Sequence, residues 1–458
     1  MKRHLTGATA HLLPLLLLGI AWHLKHPLLH GLRHLETPLL LALALGGLAW
    51  RRGFPGRLPA TLLLAVLVVT LCREGEYQSQ RTAVLAGSEA LRTVGAHFVV
   101  GFSDFAELRP LAAGGLIGGI YLAKRNLRGR TQAEVAAEIA ALQALRRRAE
   151  LPPLIVAGDQ EGGPVSHLSP LLEAMPPLAS LAGGAYQSER ARRYGAQQGR
   201  GLAALGVNLN FGPVVDLRPA GADHPHDRLT RISARAIAAD PATVGSVAAG
   251  YIDGLGERGV RATLKHFPGL GRVRHDTHLR AARLDDAPAA LAADWQPFRE
   301  LGRHPGTAIM LGHVMLAALD PQRAASHSAA VIDGLLRGEW DYDGVLITDD
   351  LNMGAVYDLG IGRVAAEALA AGVDLVLVSY DPRQVYRALQ GAAQALERGE
   401  IAASRLQRSK QRLAEFIPAG ESGADFRTNA KIAHPVSYRF PDAPADSRFA
   451  AGQSAHAR

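Results

Sequence analysis

Apolar positions change rhythm twice along this chain. Over the first 75 residues they come in blocks: Leu12 to Leu24, interrupted by Pro14 and His23, then Pro38 to Trp50, then Leu58 to Cys72, the last two without a charge. From about residue 90 they shorten into β-type runs: Ala96–Gly101, Leu116–Leu122, Leu154–Ala157, Val207–Phe211, Arg261–Leu264, Ala308–Leu311, Gly344–Thr348 and Asp374–Val378. Helical patterns lie between them at Gln132–Arg148, Ser188–Leu205, Pro241–Arg258, Ala287–Leu301, Ala329–Glu339 and Arg363–Ala371. After Phe416 no period persists.

Strand and helix in alternation predict a parallel sheet with crossover helices. Eight such units suit a (β/α)8 TIM-like barrel, with an open doubly wound sheet as the alternative. Against the open sheet, the first βα turn, Gly101-Phe-Ser-Asp104, is not a phosphate-cradling glycine pattern. Each front block is shorter than the ~20 residues that span a bilayer straight, though weakly polar flanks extend them. Three in succession, separated by basic links, predict an anchor of two or three transmembrane helices over residues 1–75. The predicted order is then a linker over 76–94, the barrel over 95–418 and a disordered tail over 419–458. Lys2 and Arg3 precede the first block, and Arg51, Arg52 and Arg57 crowd the link between the second and third. With three spans these lie in the cytoplasm, and the barrel emerges on the periplasmic side of a bacterial inner membrane; with two the answer reverses.

The net charge of +8 is carried mainly by arginine scattered through helical segments, with no basic stripe interleaved with aromatics. That reads as solvated helix faces and membrane flanks, not a nucleic-acid surface. Cys72 is the only cysteine, so no internal disulfide forms, and the large Leu71 before it fits a lipidated cysteine poorly. The oligomeric state is not legible.

Candidate chemistry gathers at the carboxyl ends of the runs, where a barrel builds its active site. Reading each run to its end gives Asp104, Lys124-Arg125-Asn126, Asp159-Gln160-Glu161, Asp216, Lys265-His266, His313, Asp349-Asp350 and Ser379. An Asp or Ser there can be a helix N-cap, which does not explain the Lys, Arg and His members. The densest stretch is Lys265-His266-Phe267-Pro268-Gly269-Leu270-Gly271, followed by Asp276-Thr277-His278.

These residues resemble glycoside hydrolase family 3, in its single-barrel β-N-acetylhexosaminidase branch. The family signature K-H-F-P-G-H-G-x(4)-D-S-H is similar to KHFPGLGRVRHDTH here. The family's (S/T)-D-D-L-x-M resembles Thr348-Asp349-Asp350-Leu351-Asn352-Met353, and its D-x-E-G-G-R resembles Asp159-Gln160-Glu161-Gly162-Gly163-Pro164. The likeness runs from about residue 95 to 415. It implies Asp349 as nucleophile, His278 with Asp276 as an acid/base dyad, and Asp159, Arg235, Lys265 and His266 as substrate-binding residues. It implies no metal and no cofactor.

The chemistry fits that assignment. A retaining glycosidase needs a carboxylate at the anomeric carbon and a proton donor at the leaving oxygen. Lys265 and Arg235 are expected to keep Asp349 ionised, and Asp276 to fix the tautomer of His278 on a loop that closes over substrate. Asp350 reads as an N-cap or structural carboxylate. Leu270 stands where the signature has His, and Pro164 and His167 where the family has two arginines, on the sugar-holding side. The implied function is a retaining exo-β-N-acetylglucosaminidase acting on peptidoglycan fragments. The alternatives are a β-glucosidase or glycoside phosphorylase of the same family, or a silent muropeptide-binding barrel.

Overall fold

The structure is a computed structural model that describes residues 7–23, 36–50, 57–169, 171–219, 229–304 and 306–417. The expected tail, from residue 419, lies outside them. Eight parallel strands form one sheet: β1 (Phe98–Val100), β2 (Gly119–Leu122), β3 (Ile155–Gly158), β4 (Leu209–Asn210), β5 (Arg261–Phe267), β6 (Thr307–Leu311), β7 (Val345–Thr348) and β8 (Val376–Val378). Each falls on one of the eight apolar runs. The order follows the chain from β1 to β7, with β8 on the free side of β1. A single bridge, Ile347 to Leu375, joins β7 to β8, so the sheet is an almost closed barrel, not an open one.

Alternation along the strands separates two cores. Val99, Tyr121, Ile155, Ala157, Leu209, Phe211, Met310, Ile347 and Leu377 fill the barrel interior. Their neighbours Val100, Ile120, Val156, Leu264, Ile309, Leu346 and Val376 face outward beneath the helices. Phe416, ending helix Ala403–Phe416, packs against the interior set at the end away from the strand C-termini. Asp104 does cap a helix, its carboxylate accepting from Ala106 N at 2.8 Å. That helix, Phe105–Ala113, and helix Gln384–Glu397 were not among the expected patterns.

Ahead of the barrel stand α1 (Gly7–Trp22), α2 (Glu36–Ala49) and α3 (Arg57–Ala86). Only α3, among the described residues, is long and apolar enough to cross a membrane; α1 and α2 are apolar but shorter. Leu17 and Ala21 of α1, Leu40 and Ala44 of α2, and Leu63 and Val66 of α3 pack into one cluster. Residues 76–94, expected as a linker, are instead the continuation of α3 and a helix at Glu89–Gly95. Amphipathic pairing explains the difference: Tyr77 stacks edge-on against Tyr386, and Val84 is fully buried in the barrel's outer core.

Candidate active site

The C-terminal ends of the strands surround a cavity of about 130 Å³. Asp159, Arg235, Lys265, His266, His278 and Asp349 all line it, and Asp276 stands behind His278. Lys265 and His266 are consecutive, yet both reach the cavity. The register of β5 against β6 shifts between Leu264 and Phe267, which breaks the alternation there.

On one wall two acids and two bases form a closed set. The guanidinium of Arg235 grips Glu161 with both arms, at 3.0 and 2.6 Å. Lys265 Nζ lies 2.6 Å from Glu161 and also bonds Asp159. Tyr121 donates to Asp159 at 2.7 Å and meets His167 Nδ1 at 2.9 Å. Burial pushes the Asp159 and Glu161 carboxyls up, but Lys265 acting on Asp159, and Arg235 with Lys265 on Glu161, outweigh it, and both sit below the usual carboxylate range. His266 is fixed from behind: Asp216 accepts from its backbone N at 2.9 Å and lies 2.7 Å from Nδ1. Its Nε2 faces Arg235 at 3.3 Å.

The loop after β5 brings His278 to the same cavity, beside Thr230, whose carbonyl accepts from Arg235 at 2.8 Å. Asp276 accepts from His278 N at 3.0 Å and from its Nδ1 at 2.9 Å, from Thr230 Oγ1 at 3.0 Å, and from the backbone of Leu229 and Thr230. Burial pushes this carboxyl up, and those donors, led by His278, pull it well below its ordinary value. An ionised Asp276 places the proton of a neutral His278 on Nδ1 and leaves Nε2 toward the cavity, 3.3 Å from the Tyr380 hydroxyl.

Asp349 ends β7, its carboxylate held by the Asp350 amide at 2.8 Å. Burial raises its pKa, but the charges of His266, His313 and His278 lower it further, leaving it below the ordinary value. This corrects the expectation that Lys265 and Arg235 keep Asp349 ionised. Those cations are committed to Asp159 and Glu161, and imidazoles perform the task. Asp350 also borders the cavity, but its carboxyl is engaged by its neighbours. Its carboxyl, pushed up to about 6 chiefly by burial, bonds Ser379, the Tyr380 N and the Asn352 N, tying the end of β7 to that of β8.

Glu161, Tyr121, Thr230 and Tyr380 belong to the site but were not picked out as site residues. Glu161 alone carried a signal, standing two residues beyond Asp159. Thr230 and Tyr380 sit in loops without a pattern of their own. At the departures, His167 fills the wall beside Tyr121, Leu270 lines the cavity, and Pro164 is exposed on the turn outside it.

A barrel that collects a carboxylate, an oriented imidazole and a bed of ion-paired polar groups around one cavity at its strand ends has the layout of a glycoside hydrolase site. The chain matches the "Glycosyl hydrolase family 3 N terminal domain" over residues 91–416 and belongs to that family. A beta-hexosaminidase of Xanthomonas campestris pv. campestris (strain B100) is 36% identical over 287 residues, 60% of this chain and 81% of that protein. Beta-hexosaminidase LpqI of Mycobacterium tuberculosis is 32% identical over 323 residues, 69% of this chain and 79% of that protein. Among solved structures, a family 3 beta-N-acetylglucosaminidase from Paenibacillus sp. str. FPU-7 superimposes with a TM-score of 0.65 at 33% identity, covering 72% of this chain and 63% of the other.

Proposed function

We propose that this chain is a retaining exo-β-N-acetylglucosaminidase that removes terminal N-acetylglucosamine from peptidoglycan fragments, held at the bacterial inner membrane with its barrel on the periplasmic side. The observation that carries the chemistry is the meeting of Asp349 and His278 at one small cavity, the imidazole close enough for its charge to act on the carboxylate. Asp349 attacks the anomeric carbon, and His278, protonated at Nε2, gives that proton to the departing oxygen. Water then cleaves the glycosyl-enzyme, with Nε2 taking back a proton. Asp276 is the positioning residue that holds the imidazole. Asp159, Arg235, Lys265 and His266 present donors and acceptors to the sugar's hydroxyl and acetamido groups. A cavity below the 300–1,000 Å³ usual for larger ligands suits one terminal ring.

The hexosaminidase names of the relatives, 32–36% identical, support the choice of sugar. The membrane reading rests on the apolar half of α3, with α1 and α2 packed on it as an up-down-up hairpin. Arg57, the first residue of α3, then lies on the side away from the barrel, which the basic residues of the sequence assign to the cytoplasm.

The test is turnover of 4-nitrophenyl β-N-acetylglucosaminide by the wild type and by Asp349→Ala. The wild type should hydrolyse it without phosphate, and Asp349→Ala should be silent with an unchanged melting temperature. Full activity in that variant removes the mechanism, and a strict need for phosphate would make the enzyme a phosphorylase.

A further inference from the structure

Helix α3 determines which end of the barrel looks at the membrane. Helix Gln384–Glu397 follows β8, so it starts beside the catalytic mouth and runs back toward the barrel's other end. The residues of α3 just after its apolar half touch that start. Glu74 bonds Arg383, Glu76 lies 3.7 Å from Arg387, and the Arg383 guanidinium sits 3.8 Å from the centre of the Tyr77 ring. Two turns further on, Val84 is buried in the outer core, and helix Glu89–Gly95 then hands the chain to the first residue of β1, at the far end. So α3 enters at the mouth and descends along the barrel. Its apolar half, Leu58 to Cys72, projects the other way, beyond the mouth.

No spacer separates the two halves: Cys72 closes the apolar run, and Arg73 and Glu74 are already at the barrel. A second contact agrees. Trp22, at the end of α1, carries the Arg73 guanidinium 5.6 Å above its ring. Both line a cavity of about 280 Å³ whose other wall includes Leu351 and Asn352, immediately after Asp350. Tryptophan is enriched where a helix leaves a bilayer. The rim of the active site near β7 and β8 therefore lies within about one helical turn of the membrane surface.

We infer that the catalytic mouth faces the membrane at close range, and that its substrate is a saccharide whose reducing end is held in the same bilayer by a lipid. An exo-acting pocket takes in the non-reducing end and lets the rest of the chain leave through the mouth. Here that exit points at the bilayer. A lipid-linked saccharide presents the matching geometry, its non-reducing end outward and its reducing end at the membrane. The reaction is unchanged: one water is consumed, the terminal N-acetylhexosamine leaves as free sugar, and the lipid-held remainder keeps the hydroxyl. The inference rests on the proposed glycosidase activity and on the anchor.

The experiment reconstitutes the full chain in vesicles with a synthetic lipid bearing a β-linked N-acetylglucosamine-terminated disaccharide. That lipid is placed either in the enzyme's own vesicles or in separate ones, with 4-nitrophenyl β-N-acetylglucosaminide as the soluble control. Confinement of both partners to one surface should speed release of the sugar about tenfold or more over separate vesicles. The aryl glycoside should be cleaved equally in both. Arg383→Ala with Arg387→Ala, which loosens α3 from the barrel, should erase the same-vesicle advantage and keep the aryl activity. Equal rates in the two arrangements, or no release from the lipid while the aryl glycoside turns over, overturn the inference. Loss of aryl turnover in the wild type would instead point to the glycosidase reading, and failure to float with the vesicles to the anchor; either takes the inference with it.

Discussion

At the scale of residues, the site is held by charges that are matched before substrate arrives. Asp159, Glu161, Lys265 and Arg235 sum to zero in a buried wall, so removing one member leaves another uncompensated. Glu161→Ala should destabilise the fold by about 3–5 kcal/mol, read as a lowered denaturation midpoint. The same wall sets an acid limit. Its two carboxyls titrate below their ordinary values in the folded state, so they bind fewer protons there than when unfolded. Their stabilisation is complete above the ordinary carboxylate range and is lost as pH falls through and below about 4. Melting temperature measured from pH 7 downward should hold until that range and then drop, and a flat profile to pH 2 would contradict the pairing. In the proposed mechanism Asp276 acts through His278. Asp276→Asn offers Nδ1 an amide in place of the carboxylate and no longer fixes the tautomer, so kcat should fall about 10²–10⁴-fold with KM little changed. A change in KM alone would make Asp276 merely structural.

At the scale of elements, close backbone approach matters as much as hydrophobic burial. Helices Gln187–Leu205 and Pro241–Gly256 cross at glycines: a Cβ on Gly254 would meet the Arg192 carbonyl at 2.1 Å, and one on Gly195 the Tyr251 carbonyl at 2.3 Å. Gly254→Ala must therefore push two helices apart. It should cost about 1–3 kcal/mol in chemical denaturation, although alanine is the better helix former. All eight strands were legible because Val, Ile and Leu cluster in short runs bounded by turns. Three barrel helices were missed, Phe105–Ala113, Gln384–Glu397 and Ala403–Phe416. Phe105–Ala113 is nine residues long with Pro110 inside, which hides its period, whereas Gln384–Glu397, burying Val385, Tyr386 and Leu389 among alanines, and Ala403–Phe416 follow the helical period and were legible. Around the cavity, residues in a dense motif, such as Lys265, His266, Asp276 and His278, could be picked out as neighbours from the sequence. Tyr121 could not, because a strand tyrosine reads as core until Asp159 is seen 2.7 Å from its hydroxyl.

At the scale of the whole molecule, the apolar run and a face of the barrel share one helix, α3, and that continuity has a measurable consequence. Sequence divides α3 at Cys72, where apolar residues give way to Arg73-Glu74-Gly75-Glu76, and the polar half looks like a tether. In the fold it is a face of the barrel. Tyr77 packs on Tyr386 and beneath Arg383, and Val84 is wholly enclosed. A soluble fragment starting at residue 85 discards these contacts and bares the helix Gln384–Glu397 they cover, whereas one starting at Arg73 keeps them. Burying a side chain the size of Val84 is worth about 1.5–3 kcal/mol, and the tyrosine pair adds about 0.5–1.5 kcal/mol beyond its area. The fragment 73–458 should therefore melt several degrees above 85–458, with equal activity per folded molecule on the aryl glycoside, since no residue of the cavity lies in α3. Equal melting temperatures would return residues 73–86 to the status of a tether and, with it, free the mouth from any fixed orientation toward the proposed bilayer.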